Sequence, residues 1–142
     1  MGPARIVLIE DNPADVHLLR HVLDVQGETY ELQVLRDGAE ALHFVEKHKV
    51  GLAKPDPCVI LLDLHLPKYD GLEVLHAIKG ESKLTHIDVV VLTTTASPKD
   101  QGKIQEMGAL YRKKPTSLTE YMALAAEILA VCRGESPAAV GS

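Results

Sequence analysis

The sequence predicts an α/β fold, a parallel sheet with right-handed crossovers and helices on both faces. Three observations carry this. Apolar runs alternate with helix-period stretches from one end of the chain to the other. The runs at Ile6, Cys58 and Val89 are continuously apolar rather than alternating, as strands covered on both faces require. And 142 residues, 46% of them hydrophobic, suffice for one ordinary domain whose core needs neither a disulfide nor a structural metal.

The strands are expected at Arg5 to Ile9, Glu31 to Leu35, Cys58 to Leu62, Asp88 to Thr93 and Ala109 to Arg112. The first helix, from about Pro13 to Gln26, shows an apolar stripe of Val16, Leu19 and Leu23 with Leu18 and Val22 alongside. Leu42 and Val45 mark a second helix from Gly38 to Lys49, and Leu72, Leu75 and Ile78 a third that stops at Gly80. The fourth carries Ile104 and Met107 and opens at Ser97-Pro98, a favourable N-cap and N1 pair. In the last helix Leu118, Tyr121, Met122, Ala125, Ile128, Leu129 and Cys132 fall at helical spacing. The stretch His48 to Pro57 reads as a surface connection, residues 1–133 as the folded domain, and residues 134–142 as a flexible tail.

Composition narrows the function. Fifteen Lys and Arg against twenty Asp and Glu leave a net charge of −5, and the longest basic run is Arg112-Lys113-Lys114. A duplex-binding surface needs a basic stripe, so nucleic acid is not an expected partner. The apolar run near the N-terminus, Ile6 to Ile9, is too short for a signal-peptide core, and Tyr121 to Cys132 is short and interrupted by Glu127, so no membrane association is expected. Cys58 and Cys132 are expected to be two buried thiols in a reducing compartment, the cytoplasm.

The informative pattern is where polar residues fall. Glu10-Asp11 follows the first strand, Asp63 the third, Thr93 ends the fourth and Lys114 follows the fifth. In an open α/β sheet the ligand crevice lies outside the carboxyl ends of the strands. Three carboxylates, a hydroxyl and an ammonium are therefore delivered to one edge. Clustered carboxylates repel, and a hard divalent cation relieves them; Mg²⁺ takes one or two and keeps several waters. Lys114 supplies a compact charge and Thr93 a hydroxyl for phosphoryl oxygens, while an Asp can act as nucleophile. The pattern points to Mg²⁺-assisted phosphoryl transfer onto an aspartate.

These residues resemble a family. Glu10-Asp11-Asn12, Leu61 to Pro67 with Asp70-Gly71, Val91-Leu92-Thr93 and Lys114-Pro115 are similar, in order and spacing, to the motifs of bacterial response-regulator receiver domains. The resemblance runs from about Arg5 to Arg133. It implies a flavodoxin-like doubly wound (βα)5 fold with strand order 2-1-3-4-5. It makes Asp63 the phosphoacceptor, with Asp11, Asp63 and the backbone carbonyl of His65 binding Mg²⁺ directly and Glu10 mostly through water. Thr93 becomes the switch hydroxyl, Tyr111 the switch aromatic and Lys114 the phosphate-binding lysine, before a Lys-Pro bond that is usually cis in the family. Thr94 would take the switch role if the register slipped by one, and Lys113 competes with Lys114 on type alone. His65 and Thr95 occupy positions that tune acyl-phosphate lifetime in the family. Arg112 departs from the pattern, standing where the fifth strand is usually apolar.

The implied function is that of a single-domain response regulator rather than an enzyme acting on a separate substrate. A histidine kinase or a histidine phosphotransfer protein would be its partner. The kinase would dock near Ala14, Asp15, Leu18 and Val22. A homodimer through the last helix face is also compatible. The loop His48 to Pro57 and Val91-Leu92-Thr93-Thr94 further resemble the stand-alone receivers that serve phytochrome-type kinases. Two rivals fit less well. A haloacid-dehalogenase-type phosphatase needs a second Asp where His65 stands, and a flavodoxin-like cofactor carrier needs a Gly-rich phosphate loop that does not follow Ile9. The intact acidic set also argues against a receiver that works without phosphorylation. His17 and His21 lie one helical turn apart with no third ligand nearby in sequence, so a solvated helix surface is expected there.

Overall fold

The computed structural model describes residues 2–52 and 55–135. Five strands, β1 (Ala4–Ile9), β2 (Tyr30–Leu35), β3 (Val59–Asp63), β4 (Asp88–Thr93) and β5 (Leu110–Lys113), alternate with five helices, α1 (Pro13–Gln26), α2 (Gly38–Lys49), α3 (Gly71–Gly80), α4 (Pro98–Glu106) and α5 (Leu118–Cys132). All strand pairs are parallel, in the order β2-β1-β3-β4-β5, as expected.

The continuous apolar runs form the three central strands because each face of the sheet is covered. Val7, Ile9, Ile60, Leu62, Val89 and Val91 pack with Phe44 of α2, Leu75 and Ile78 of α3 and Ile104 of α4. The intervening residues Ile6, Leu8, Val59, Leu61, Val90 and Leu92 pack with Leu19, Val22 and Leu23 of α1 and Ala125, Ile128 and Leu129 of α5. Successive side chains of a strand point to opposite faces, so a two-sided core needs an unbroken apolar run. The edge strands differ: β2 alternates between half-buried and exposed residues until Leu35, and β5 is only half-buried.

Strand ends shift by a residue from the expected places, and one shift matters. Cys58 lies before β3 and Asp63 is its last residue rather than the next one, because the ladder with β4 continues through Asp63 opposite Leu92 and on to Leu64 N–H, which donates to the Leu92 carbonyl at 3.0 Å.

Helix starts follow their caps. Asn12 accepts from Ala14 N–H ahead of Pro13, and Asp70 accepts from Leu72 N–H. Gly71, just after that cap, is required by close approach: a Cβ there would collide with the backbone of Leu64, in the turn that follows β3.

The cysteines correct an expectation. Cys58 and Cys132 form a disulfide, with Cα atoms 5.1 Å apart, joining the start of β3 to the end of α5. Their separation of 74 residues hid this, since only the packing of α5 antiparallel to the strands brings the two ends together. Of the expected tail, Gly134 and Glu135 close α5 through bonds to the Val131 and Ala130 carbonyls, and residues 136–142 lie outside the described residues. Among the described residues no helix is long and apolar enough to cross a membrane.

Candidate functional site

Strand order reverses between β1 and β3, and the residues at the carboxyl ends of the central strands meet there. One carboxylate oxygen each from Glu10, Asp11 and Asp63 lies within 4.8 Å of the others. Glu10 and Asp63 are buried and Asp11 is exposed, so the cluster opens to solvent on one side. This donor set of hard oxygens with an accessible face fits a divalent cation that keeps part of its water shell. Burial first, and then Asp63 beside it, push the Glu10 carboxyl up to about 7 although Lys114 opposes the shift. A cation bound among these oxygens relieves that repulsion.

Lys114 sits in the middle of the acidic groups. Its Nζ lies 2.7 Å from Glu10 Oε1, 2.8 Å from Asp15 Oδ2 and 3.3 Å from Asp63 Oδ2. Burial would lower the Lys114 ammonium, but Asp15, Glu10 and Asp63 outweigh it and hold its pKa above the ordinary value. Lys114 N–H donates to the Thr93 carbonyl at 2.8 Å, which ties its backbone to the end of β4. Lys113, the competitor by type, is exposed. The bond before Pro115 is trans, not the expected cis: no cis peptide occurs among the described residues. The backbone bond to Thr93 and the three carboxylates orient the lysine without it.

Thr93 is fully buried at the end of β4, and Thr94 is exposed. Its hydroxyl does not bond to Asp63. It donates to the Thr95 carbonyl at 2.6 Å, which leaves the His65 imidazole, at 2.9 Å, to donate to it through Nε2–H. His65 N–H donates to Asp63 Oδ1 at 3.0 Å. Tyr111 is half-buried and packs against the core formed with α2, α3 and α4. Arg112, out of place by type, reaches Glu127 of α5 through two nitrogens, at 3.1 and 2.9 Å.

The expected docking patch needs a correction. Val22 is completely buried against the sheet and α5, because α1 turns Leu19, Val22 and Leu23 inward together. Ala14 is exposed and Leu18 is 38% exposed. Asp15 is half-buried and belongs to the acidic site, where it meets Lys114 on one oxygen and accepts from the buried Tyr121 hydroxyl, at 3.2 Å, on the other. The sequence reading missed both contacts. The available signal was position, since Asp15 stands one helical turn after Asp11. His17 and His21 are exposed, and the acidic trio is the one group of potential metal ligands among the described residues.

Comparison with known proteins decides the family. Residues 6–125 match the response regulator receiver domain. The chain belongs to that family. The receiver is 45% identical over 98 residues to the response regulator Rcp1 of Synechocystis sp., a match covering 69% of this chain and 67% of Rcp1. Among solved structures, the Mn²⁺-bound form of Rcp1 superposes with a TM-score of 0.81 at 36% identity, covering 96% of the receiver and all of Rcp1's chain. The phosphorylated cyanobacterial phytochrome response regulator RcpA gives 0.83 at 31%, covering 97% and 100%. The bacteriophytochrome response regulator AtBRR gives 0.71 at 35%, with both chains covered fully. The receiver is thus a two-component signalling protein with an acidic site suited to a divalent cation.

Proposed function

We propose that this receiver accepts a phosphoryl group on Asp63 from a histidine kinase or a histidine phosphotransfer protein in a Mg²⁺-dependent reaction. The observation that carries the reading is the placement of Lys114 Nζ 3.3 Å from the carboxylate of Asp63, beside Glu10 and Asp11. An Asp63 oxygen attacks the phosphorus of a phosphohistidine. The P–O bond forms as the P–N bond breaks, and the electron pair stays on the imidazole nitrogen, which takes up a proton from solvent. Glu10, Asp11, Asp63 and the His65 carbonyl would hold Mg²⁺, which supplies charge neutralisation for the carboxylates and the incoming phosphate. Lys114 then pairs with one phosphoryl oxygen of the acyl phosphate. Thr93 exchanges its bonds to Thr95 and His65 for another.

That exchange moves the loop after β4 and lets Tyr111 turn further inward, biasing the face of α4, β5 and α5 toward a second protein or another copy of the chain. The phytochrome connection of RcpA and the bacteriophytochrome connection of AtBRR support a photoreceptor kinase as the donor. Exposed Ala14 and Leu18, beside the acidic site, are the docking residues in this reading, and Leu18→Arg is expected to abolish transfer from the cognate kinase. The working unit is the receiver domain, acting in the cytoplasm.

The test is intact mass after incubation with acetyl phosphate, with and without Mg²⁺, beside Asp63→Asn. One phosphoryl adduct that requires Mg²⁺ and is absent from the variant supports the reading. An adduct that persists in the variant, or no adduct on the wild-type protein, overturns it.

A further inference from the structure

Asp15 is a fourth carboxylate at the site, supplied by a helix rather than by a strand end, and it touches none of the other acids through a described bond. Its partner is Lys114. An ammonium has three hydrogens to donate, and here three carboxylates surround it, at 2.7 Å from Glu10, 2.8 Å from Asp15 and 3.3 Å from Asp63. The longest of the three is the one to Asp63, the residue it serves. Asp15 is braced from behind: its second oxygen accepts from the Tyr121 hydroxyl at 3.2 Å, and Tyr121 is buried at the first turn of α5. The carboxylate is therefore held between α5 and the lysine and cannot swing freely into solvent.

From this geometry we infer that Asp15 is a positioning residue that restrains Lys114 toward α1 and competes with an incoming phosphoryl group for the ammonium. The inference rests on Asp63 being the phosphoacceptor. For Lys114 to donate to a phosphoryl oxygen at Asp63, one of its existing bonds must be given up. The bond to Asp63 passes to the phosphoryl oxygen on that carboxylate, Glu10 is buried among the oxygens that would hold the cation, and Asp15 lies on the half-exposed side, so the bond to Asp15 is the one that yields as the ammonium shifts. Asp15 also adds a negative charge on the path of an anionic donor. Replacing the carboxylate by an amide weakens both effects in the same direction. A bond from the ammonium to an amide oxygen keeps the donor's charge but loses the ion-pair attraction of the carboxylate. The repulsion of the donor is removed as well.

The test compares phosphorylation by acetyl phosphate, in Mg²⁺, for wild type, Asp15→Asn and Asp15→Glu, with thermal melting of each. The expected result is a several-fold lower KM for acetyl phosphate in Asp15→Asn, with KM changing more than the maximal rate, and a return toward the wild-type KM in Asp15→Glu. Should Asp15→Asn fail to fold, Asp15→Ser carries the same expectation. An unchanged or raised KM in a folded variant overturns the inference while leaving Asp63 as acceptor. A wild-type protein that gains no phosphoryl group overturns both.

Discussion

At the carboxyl ends of β1, β3 and β4 the chain gathers Glu10, Asp11, Asp63 and Thr93 around Lys114, whereas at the amino ends of the same strands it places a disulfide and an ion pair. Cys58 joins Cys132 across the start of β3 and the end of α5, and Arg5 Nε lies 3.3 Å from Glu31 where β1 and β2 begin. Both ends are capped by interactions between distant segments, but with opposite consequences. The disulfide constrains the unfolded chain and asks nothing further of the folded one. The carboxyl end buries like charges with a single ammonium to compensate them, an arrangement that favours ligand binding over stability. The sheet between them is apolar on both faces and separates the two ends.

The largest expected effect breaks the carboxyl end alone. Lys114→Met removes the donor facing Asp63, and the rate of phosphorylation by acetyl phosphate is expected to fall about 100-fold or more, measured by phosphate-affinity electrophoresis. The amino end should be indifferent to that change and sensitive to a different one. Cys58→Ser with Cys132→Ser is expected to lower unfolding free energy by about 2–4 kcal/mol, read from urea midpoints. Its phosphorylation rate should stay at the wild-type value, and a matching loss of rate would show that the two ends are coupled.

A third change sharpens the comparison by altering the turn that follows Asp63 without altering charge. Gly71→Ala drives a methyl group into the Leu64 backbone and is expected to cost about 1–3 kcal/mol, the range for overpacking, with slower phosphorylation because the turn carrying His65 shifts. Urea denaturation and labelling rates measured on one preparation separate the two effects.

The smallest effect is a pH dependence peculiar to the acidic end. The Glu10 carboxyl is raised from 4.5 to about 7 in the folded protein, by burial first and Asp63 second. Between those values the folded state holds more protons than the unfolded state, so stability without a divalent cation falls as pH rises through this window and levels off above about 7. Glu10→Gln is expected to remove this slope, and added Mg²⁺ to flatten it in the wild-type protein. Urea denaturation in a chelating buffer from about pH 3.5 to about pH 8, roughly one unit either side of that window, is the measurement. A wild-type slope equal to that of Glu10→Gln would assign the dependence to other groups.

Much of this is legible in the sequence. Pro13 and Gln26 bound α1 as expected because Asn12 caps it and Gly27, at φ 78°, ends it. Asp88 and Thr93 bound β4 as expected because its apolar run is unbroken between two polar residues. The acidic pair, Asp63, Thr93 and Lys114 were identifiable because residues that end parallel strands must share an edge. What stayed hidden depended on how helices are rotated and where they end. Leu18 and Val22 lie one turn apart, yet only Leu18 reaches the surface, since the contact with α5 covers the Val22 side.

By itself the sequence determined the alternation of strands and helices, the two-sided core and the edge at which the polar residues collect, because periodicity and strand direction are local properties of the chain. Only the tertiary structure decided that Cys58 meets Cys132, that Asp15 meets Lys114, that Thr93 turns its hydroxyl to Thr95 and that three carboxylates surround the Lys114 ammonium. The disulfide and the carboxylates around Lys114 join elements far apart along the chain, and their geometry is set by packing against the sheet, which no local pattern encodes.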